Sequence, residues 1–194
     1  MVNIYTAIKQ KYNSGFRQLS DATCGPASII LAAMGLGLGL KQESEWRDPR
    51  FQPWVPVNDF LSRGMALHEL QLTSQLIFAN QVEISLRRAY PENFKLFKQD
   101  IKNAFQTERA IIIVNYRQDD FIKTTLCEWG NPHYSPVINY DTKRQQILIA
   151  DVDNYVSEPY WVKISAMFHS MSHVNPAFNM PRGWLVLRKR DEQE

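Results

Sequence analysis

Four residues of this sequence have the types and spacing of a nucleophilic site: Gln18, Cys24, His133 and Asp151. Cys24 is followed by Gly25-Pro26 and an almost wholly apolar run to Met34. Pro26 suits the first turn of a helix, where its missing N–H costs nothing and its φ is already helical. That predicts Cys24 at or just before a helix N-terminus, where unpaired N–H groups and the macrodipole favour a thiolate. The other reading is a small core hydrophobe, as free cysteines often are. An activated thiol needs a base within hydrogen-bond reach and a third group to orient that base. Among His68, His133, His169 and His173, only His133 opens a strand after a long loop, a place that can present a side chain into a cleft. His68 is expected on a polar surface. His133 and Asp151 stand at roughly mirrored positions about a turn near 142–144, so antiparallel pairing brings imidazole and carboxylate together. A carboxylate there fixes the tautomer and stabilises the imidazolium. Asp153 competes for that role on the same strand face, and Asp151 has the alternative reading of a strand-ending turn residue. Gln18, six positions before Cys24, can donate an amide N–H to an oxyanion, with the Cys24 backbone N–H as second donor. Without a cysteine downstream it would read as a surface glutamine.

The elements that must position these groups are legible in outline. Residues 1–20 read as an irregular arm. The run after Cys24 has no polar face, which predicts a helix buried all round and ending near Gly35. Residues 41–57 read as a Pro-rich loop whose Trp46, Phe51 and Trp54 pack on the body, with walling a cleft as the alternative. Leu67, Leu70, Ser74, Ile77 and Phe78 recur at helical spacing, and Pro91 opens a helix with the stripe Phe94, Phe97, Ile101 and Phe105. Strands are expected at 82–86, at the continuous apolar run 110–116, at 133–140, at 146–151 and at 183–188. Pro136 implies an edge or a bulge, and 163–171 is helical. Residues 117–131 are expected to form a polar loop. Its Cys127 could be a rival nucleophile, a metal or thiol contact, or a bystander; the last is the simplest. Helices precede strands, an α+β order, with no repeat, linker or second domain across 1–194.

Composition fits one soluble domain: 194 residues, 44% hydrophobic and 22% charged. A net charge of +2 gives no reason to expect nucleic acid or a membrane as partner. Two cysteines make neither a disulfide framework nor a Cys-rich zinc site. The N-terminus lacks the apolar core of a signal peptide, so a cytoplasmic location is expected, or a periplasmic one if a leader has been removed.

The motifs together resemble the phytochelatin synthase family. Gln18 before Asp21-Ala22-Thr23-Cys24-Gly25 is similar to its opening, and Gly130-Asn131-Pro132-His133-Tyr134-Ser135-Pro136 to its histidine segment. Ile147 to Val152, Trp161-Val162 and Arg182-Gly183-Trp184 continue the likeness in order over roughly 15–188. The cysteine-to-histidine and histidine-to-aspartate spacings of 109 and 18 agree with it. The resemblance implies a papain-like cysteine peptidase fold, with the nucleophile helix packed on a mainly antiparallel sheet. It implies a Cys24–His133–Asp151 triad with Gln18 in the oxyanion hole, and Arg182 on the γ-glutamyl carboxylate; Tyr116 and Arg117 are further substrate-binding candidates. Asn175 stands where an acidic partner of Arg182 is expected. The implied activity is removal of glycine from glutathione through a thioester, mainly to water and otherwise to a second glutathione, giving phytochelatin. No structural cofactor is implied; Cd or Zn would enter as metal-glutathione cosubstrate. The partner is glutathione or a related γ-glutamyl peptide, with a homodimer compatible. The rival readings are a papain-like amidase or peptidase on another substrate, and a non-catalytic thiol- or metal-binding module.

Overall fold

A computed structural model describes residues 3–122 and 131–190 of the chain. Cys127, Trp129 and most of the loop expected before His133 lie outside the described residues. Among those described, the helices are α1 (Ile4–Asn13), α2 (Cys24–Gly35), α3 (Val57–Arg63), α4 (Leu67–Phe78), α5 (Phe94–Thr107) and α6 (Ile164–Ser172). The strands are β1 (Val82–Arg88), β2 (Ala110–Arg117), β3 (Pro132–Asp141), β4 (Gln146–Ile149), β5 (Tyr160–Lys163), β6 (Val174–Asn175), β7 (Met180–Pro181) and β8 (Gly183–Lys189). One six-stranded sheet runs β1-β8-β2-β3-β4-β5 with every neighbouring pair antiparallel, and β6 and β7 form a separate hairpin.

Helix α2 is the hub. Every residue in it except Met34 is buried, as an apolar sequence without a polar face requires. Its one hydroxyl is satisfied: Ser28 Oγ donates to Tyr134 O at 2.9 Å, tying the helix to β3. The core lies in two layers, divided by side-chain alternation along β2. Ile111 and Ile113 face α2 with Ile29, Leu31 and Leu70, while Ile112 and Val114 face α5 and α6 with Phe97, Ile101 and Met167. Two packed faces explain why β2 reads as an unbroken apolar run.

The N-terminal arm is not irregular. Asn3 Oδ1 accepts from Tyr5 N and Thr6 N at the start of α1, and Tyr5, Ile8 and Tyr12 form its buried stripe. Pro136 lies in an interior strand, between β2 and β4, and the register slips between Val137 and Asn139, so the bulge reading holds and the edge reading does not. Trp46 is buried with its indole N–H on Ser74 Oγ at 3.1 Å, whereas Trp54 is exposed, so the 41–57 segment packs rather than walls a cleft. Strand β5 and the β6–β7 hairpin were not anticipated as strands.

Gly183 shows how tightly the sheet is drawn at one point. It sits between Arg88 of β1 and Asn115 of β2, and an added Cβ would lie 2.0 Å from Arg87 O. Backbone cannot step aside as a flexible side chain can. Gly183→Ala is expected to cost about 3 kcal/mol or more, read as a fall in the urea midpoint at unchanged slope.

Candidate active site

The turn before α2 is fastened at Gln18, Leu19, Ser20 and Thr23. Gln18 N donates to Val152 O at 2.8 Å, and Asn154 Nδ2 donates to Gln18 O at 3.0 Å. Leu19 N lies 3.1 and 3.2 Å from the two carboxylate oxygens of buried Glu43. Burial raises the Glu43 pKa although the nearby Thr23 hydroxyl, the Leu19 amide and the Arg47 charge oppose the rise. Thr23 Oγ1 donates to Ser20 O at 2.8 Å and closes the turn. Cys24 then opens α2, 5% exposed, among N–H groups that have no intrahelical acceptor. Pairing of Gln18 with Val152 also sets the amide-bearing segment beside Asp151. Gln18 itself is buried, and its Oε1 has no hydrogen-bond partner among the described residues.

The hairpin works as its symmetry predicts. Ala150 N donates to Pro136 O just past the end of β4, which leaves Asp151 diagonal to His133 across the strands. His133 Nε2 lies 2.7 Å from Asp151 Oδ1, and both side chains are almost fully buried. Cys24 acts on the same ring, whose remaining nitrogen is Nδ1. Burial alone would lower the His133 pKa. The Asp151 carboxylate at ion-pair distance, with Cys24 also acting on the ring, overrides burial and holds the imidazole well above its ordinary value. For Asp151 the same contest runs the other way: burial would raise its pKa, but His133, Gln118 and the Asp153 amide keep it well below the usual carboxylate range. Asp153 does not take the triad place. Its Oδ2 accepts from Gln118 Nε2 at 3.1 Å and its Oδ1 from Tyr155 N at 2.9 Å.

Cys24 opens on a cavity of about 590 Å³, within the usual size of small-molecule sites. Met65, Tyr134, Asn175, Phe178 and Arg182 line it, among others. The hairpin β6–β7 supplies one wall through Phe178, whose ring packs edge-on to His68 and under the Arg63 guanidinium. Arg63 is held by two hydrogen bonds to Glu69, at 2.7 and 2.8 Å. Arg182 is different. It is 2% exposed, donates from Nη1 to His173 O, makes no ion pair with a described residue, and leaves Nε without a partner. Burial, and then the nearby Arg117 charge, depress its pKa.

Two of the substrate-binding candidates sit elsewhere. Tyr116 is a correction: it is wholly buried, pairs with His133 across β2 and β3, and points its hydroxyl at Asp151 rather than into the cavity. Arg117 is half-buried with Nε 3.7 Å from Asp120 Oδ1, and is not among the cavity-lining residues. Sequence reasoning missed Gln118, Tyr160 and Glu43. Nothing local in the sequence marks any of the three.

A cysteine on the end of a buried helix, facing a histidine–carboxylate hairpin at the end of an antiparallel sheet, gives this α+β fold its class, that of the papain-like cysteine peptidases. It is similar to a putative C39-like peptidase from Bacillus anthracis, with a TM-score of 0.54 and 12% identity, covering 91% of this chain and 94% of that one. The sequence pattern described as Phytochelatin synthase matches residues 1–184, and the chain belongs to that family. It is 27% identical over 175 residues to the glutathione gamma-glutamylcysteinyltransferase of Schizosaccharomyces pombe, and 23% identical over 177 residues to glutathione gamma-glutamylcysteinyltransferase 3 of Lotus japonicus. These alignments cover 88% and 89% of this chain but only 40% and 35% of those relatives.

Proposed function

We propose that this protein is a cysteine-nucleophile γ-glutamylcysteinyl transferase and peptidase that removes glycine from glutathione, with hydrolysis as its main outcome. The observation that carries the reading is Cys24 opening on the same cavity as the unpaired guanidinium of Arg182, with His133 and Asp151 in line behind the thiol. His133 takes the proton of Cys24, and the thiolate attacks the carbonyl of the Cys–Gly peptide bond. Gln18 and the Cys24 N–H receive the oxyanion. His133-H⁺ gives its proton to the departing glycine amine, leaving a thioester on Cys24. Water, or the amine of a second glutathione, then attacks with His133 as base and frees the cysteine.

Arg182 fits the α-carboxylate of the γ-glutamyl group, since a buried guanidinium with a free Nε is suited to a planar anion. Hydrolysis is favoured by the same accounting of cations. Arg63, the other arginine lining the cavity, is already held by Glu69, so among the described residues no second unpaired guanidinium is there for an acceptor's carboxylates. Soft divalent metals such as Cd or Zn enter this reading only as complexes with glutathione. The names of the relatives, all glutathione gamma-glutamylcysteinyltransferases, support glutathione as donor.

Mass spectrometry after incubation with glutathione, with and without Cd²⁺, tests the proposal. A γ-glutamylcysteinyl adduct on the Cys24 peptide, free glycine, and more γ-glutamylcysteine than longer polymer are expected. An unmodified Cys24 with no glycine released would sink it.

A further inference from the structure

Asp151 is surrounded by more donors than a triad carboxylate needs for its histidine. Its Oδ1 meets His133 Nε2 at 2.7 Å and accepts from Asp153 N at 3.0 Å. Its Oδ2 accepts from Tyr160 Oη at 2.8 Å, Tyr116 Oη at 3.0 Å and Gln118 Nε2 at 3.0 Å. These donors come from β5, from β2 and from the single turn after β2, and they converge on a carboxylate that has no solvent exposure. We propose that Tyr116, Tyr160 and Gln118 are positioning residues that spread the charge of Asp151, so that His133 can surrender its proton while Asp151 stays ionised. The inference rests on the reading of Cys24, His133 and Asp151 as the reacting triad.

The physical need arises in the middle of the reaction. When His133-H⁺ protonates the leaving amine, Asp151 loses the cation that neutralised it. A buried carboxylate left with a neutral imidazole and no other donor is strongly disfavoured, because an uncompensated charge in the interior costs several kcal/mol. Such a carboxylate would hold the imidazolium proton back. Neutral donors remove that penalty without adding a competing charge, and each hydrogen bond to an anion is worth about twice one between neutral groups. Both phenols stay protonated in this role: burial first, and then the Asp151 charge, raise their pKa values far above the ordinary phenol value. Their oxygens are 2.8 Å apart and each phenol has one proton, so with Tyr160 donating to Asp151, Tyr116 shares its proton between Asp151 Oδ2 and Tyr160 Oη, and Ser135 Oγ at 3.1 Å can donate to Tyr116 Oη. Gln118 is fixed in turn by Asn131, whose Nδ2 donates to Gln118 Oε1 and whose carbonyl accepts from Gln118 N. The other titratable groups facing Asp151 are Asp153, which shares Gln118 Nε2, and Tyr12 of α1.

Removing a donor destabilises the more negative form of the Asp151–His133 pair at each step, so both macroscopic titrations move to higher pH. The test is ¹⁵N NMR of histidine-labelled protein, with His133 assigned through His133→Gln, in the wild type and in Tyr160→Phe, Tyr116→Phe and Gln118→Leu. Deprotonation of the His133 imidazolium is expected to move up by about one pH unit in each variant. With glutathione as substrate, kcat is expected to fall about tenfold with KM near the wild-type value. A His133 titration that stays in place in variants that keep the wild-type NMR spectrum elsewhere would overturn the proposal. Three variants on three elements keep the test open if one fails to fold. The NMR readout needs no substrate, so a failure to cleave glutathione would count against the proposed function and leave this inference standing.

Discussion

Cys24→Ala is expected to lower glycine release from glutathione by at least about 10⁴-fold, to the level of the uncatalysed background plus whatever binding and the oxyanion donors contribute alone. The size follows from the chemistry rather than from any single contact. Without a sulfur there is no thioester, and the reaction has to pass through direct attack of water on an amide. His133 and Asp151 then orient nothing that can attack. The losses are for that reason not additive: His133→Ala in the Cys24→Ala background is expected to cost little more. Cys24→Ser separates nucleophile from geometry, because a hydroxyl fits the same place but is a far weaker acid than a thiol, and ionises little even beside an imidazole. Its activity is expected to stay within about tenfold of the alanine variant. The measurement is glycine release followed by amine derivatisation, with circular dichroism to show that the fold persists. Glycine release by Cys24→Ala at the wild-type rate would remove Cys24 from the mechanism.

The place of Cys24 at the start of a buried helix was legible because its signals are local. Gly25-Pro26 set the start of α2, and the absence of any polar residue but Ser28 on the run to Met34 showed that the helix lies inside. The hairpin was legible for a second reason, since mirrored positions about one turn fix which residues meet, whatever the rest of the chain does. Helix α1 was not legible. Its stripe of Tyr5, Ile8 and Tyr12 has helical spacing but only three members in a ten-residue helix rich in polar residues, and its anchors are distant: Tyr5 Oη donates to Ala110 O and Tyr12 Oη to Val156 O. The donors around Asp151 were hidden in the same way. Gln118 lies in what reads as a polar loop, and Tyr160 belongs to a four-residue strand with no clear alternation. For Tyr116, a tyrosine at a strand end, the sequence leaves open which way the side chain faces. Only its register opposite His133 decides that it faces the carboxylate. What sequence withholds here is the convergence of separate segments on one buried charge, which depends on sheet order and not on spacing.

Arg182→Met is expected to cut kcat/KM for glutathione by about 10²- to 10³-fold while leaving Tm unchanged or raising it by a few degrees. The two effects have one cause. A guanidinium that is 2% exposed, has one hydrogen bond to the His173 carbonyl, and has no described ion-pair partner opposes folding, because its desolvation is not repaid within the protein. Methionine fills a similar volume without that penalty. A group so placed is stabilised when an anion arrives, and in the proposed reaction that anion is the γ-glutamyl carboxylate, far from the scissile bond. Binding energy of that remote kind positions the reacting carbonyl against Cys24, so part of the loss is expected in kcat and not only in KM. Arg182→Lys is not expected to rescue, since an ammonium cannot offer the paired planar donors and is costlier to bury. The decisive comparison uses a substrate lacking the γ-glutamyl α-carboxylate. Wild type should process it as slowly as Arg182→Met processes glutathione, and Arg182→Met should scarcely distinguish the two substrates. A variant that still discriminates between them as the wild type does would place the carboxylate at some other group. A lowered Tm with activity intact would make Arg182 a structural residue.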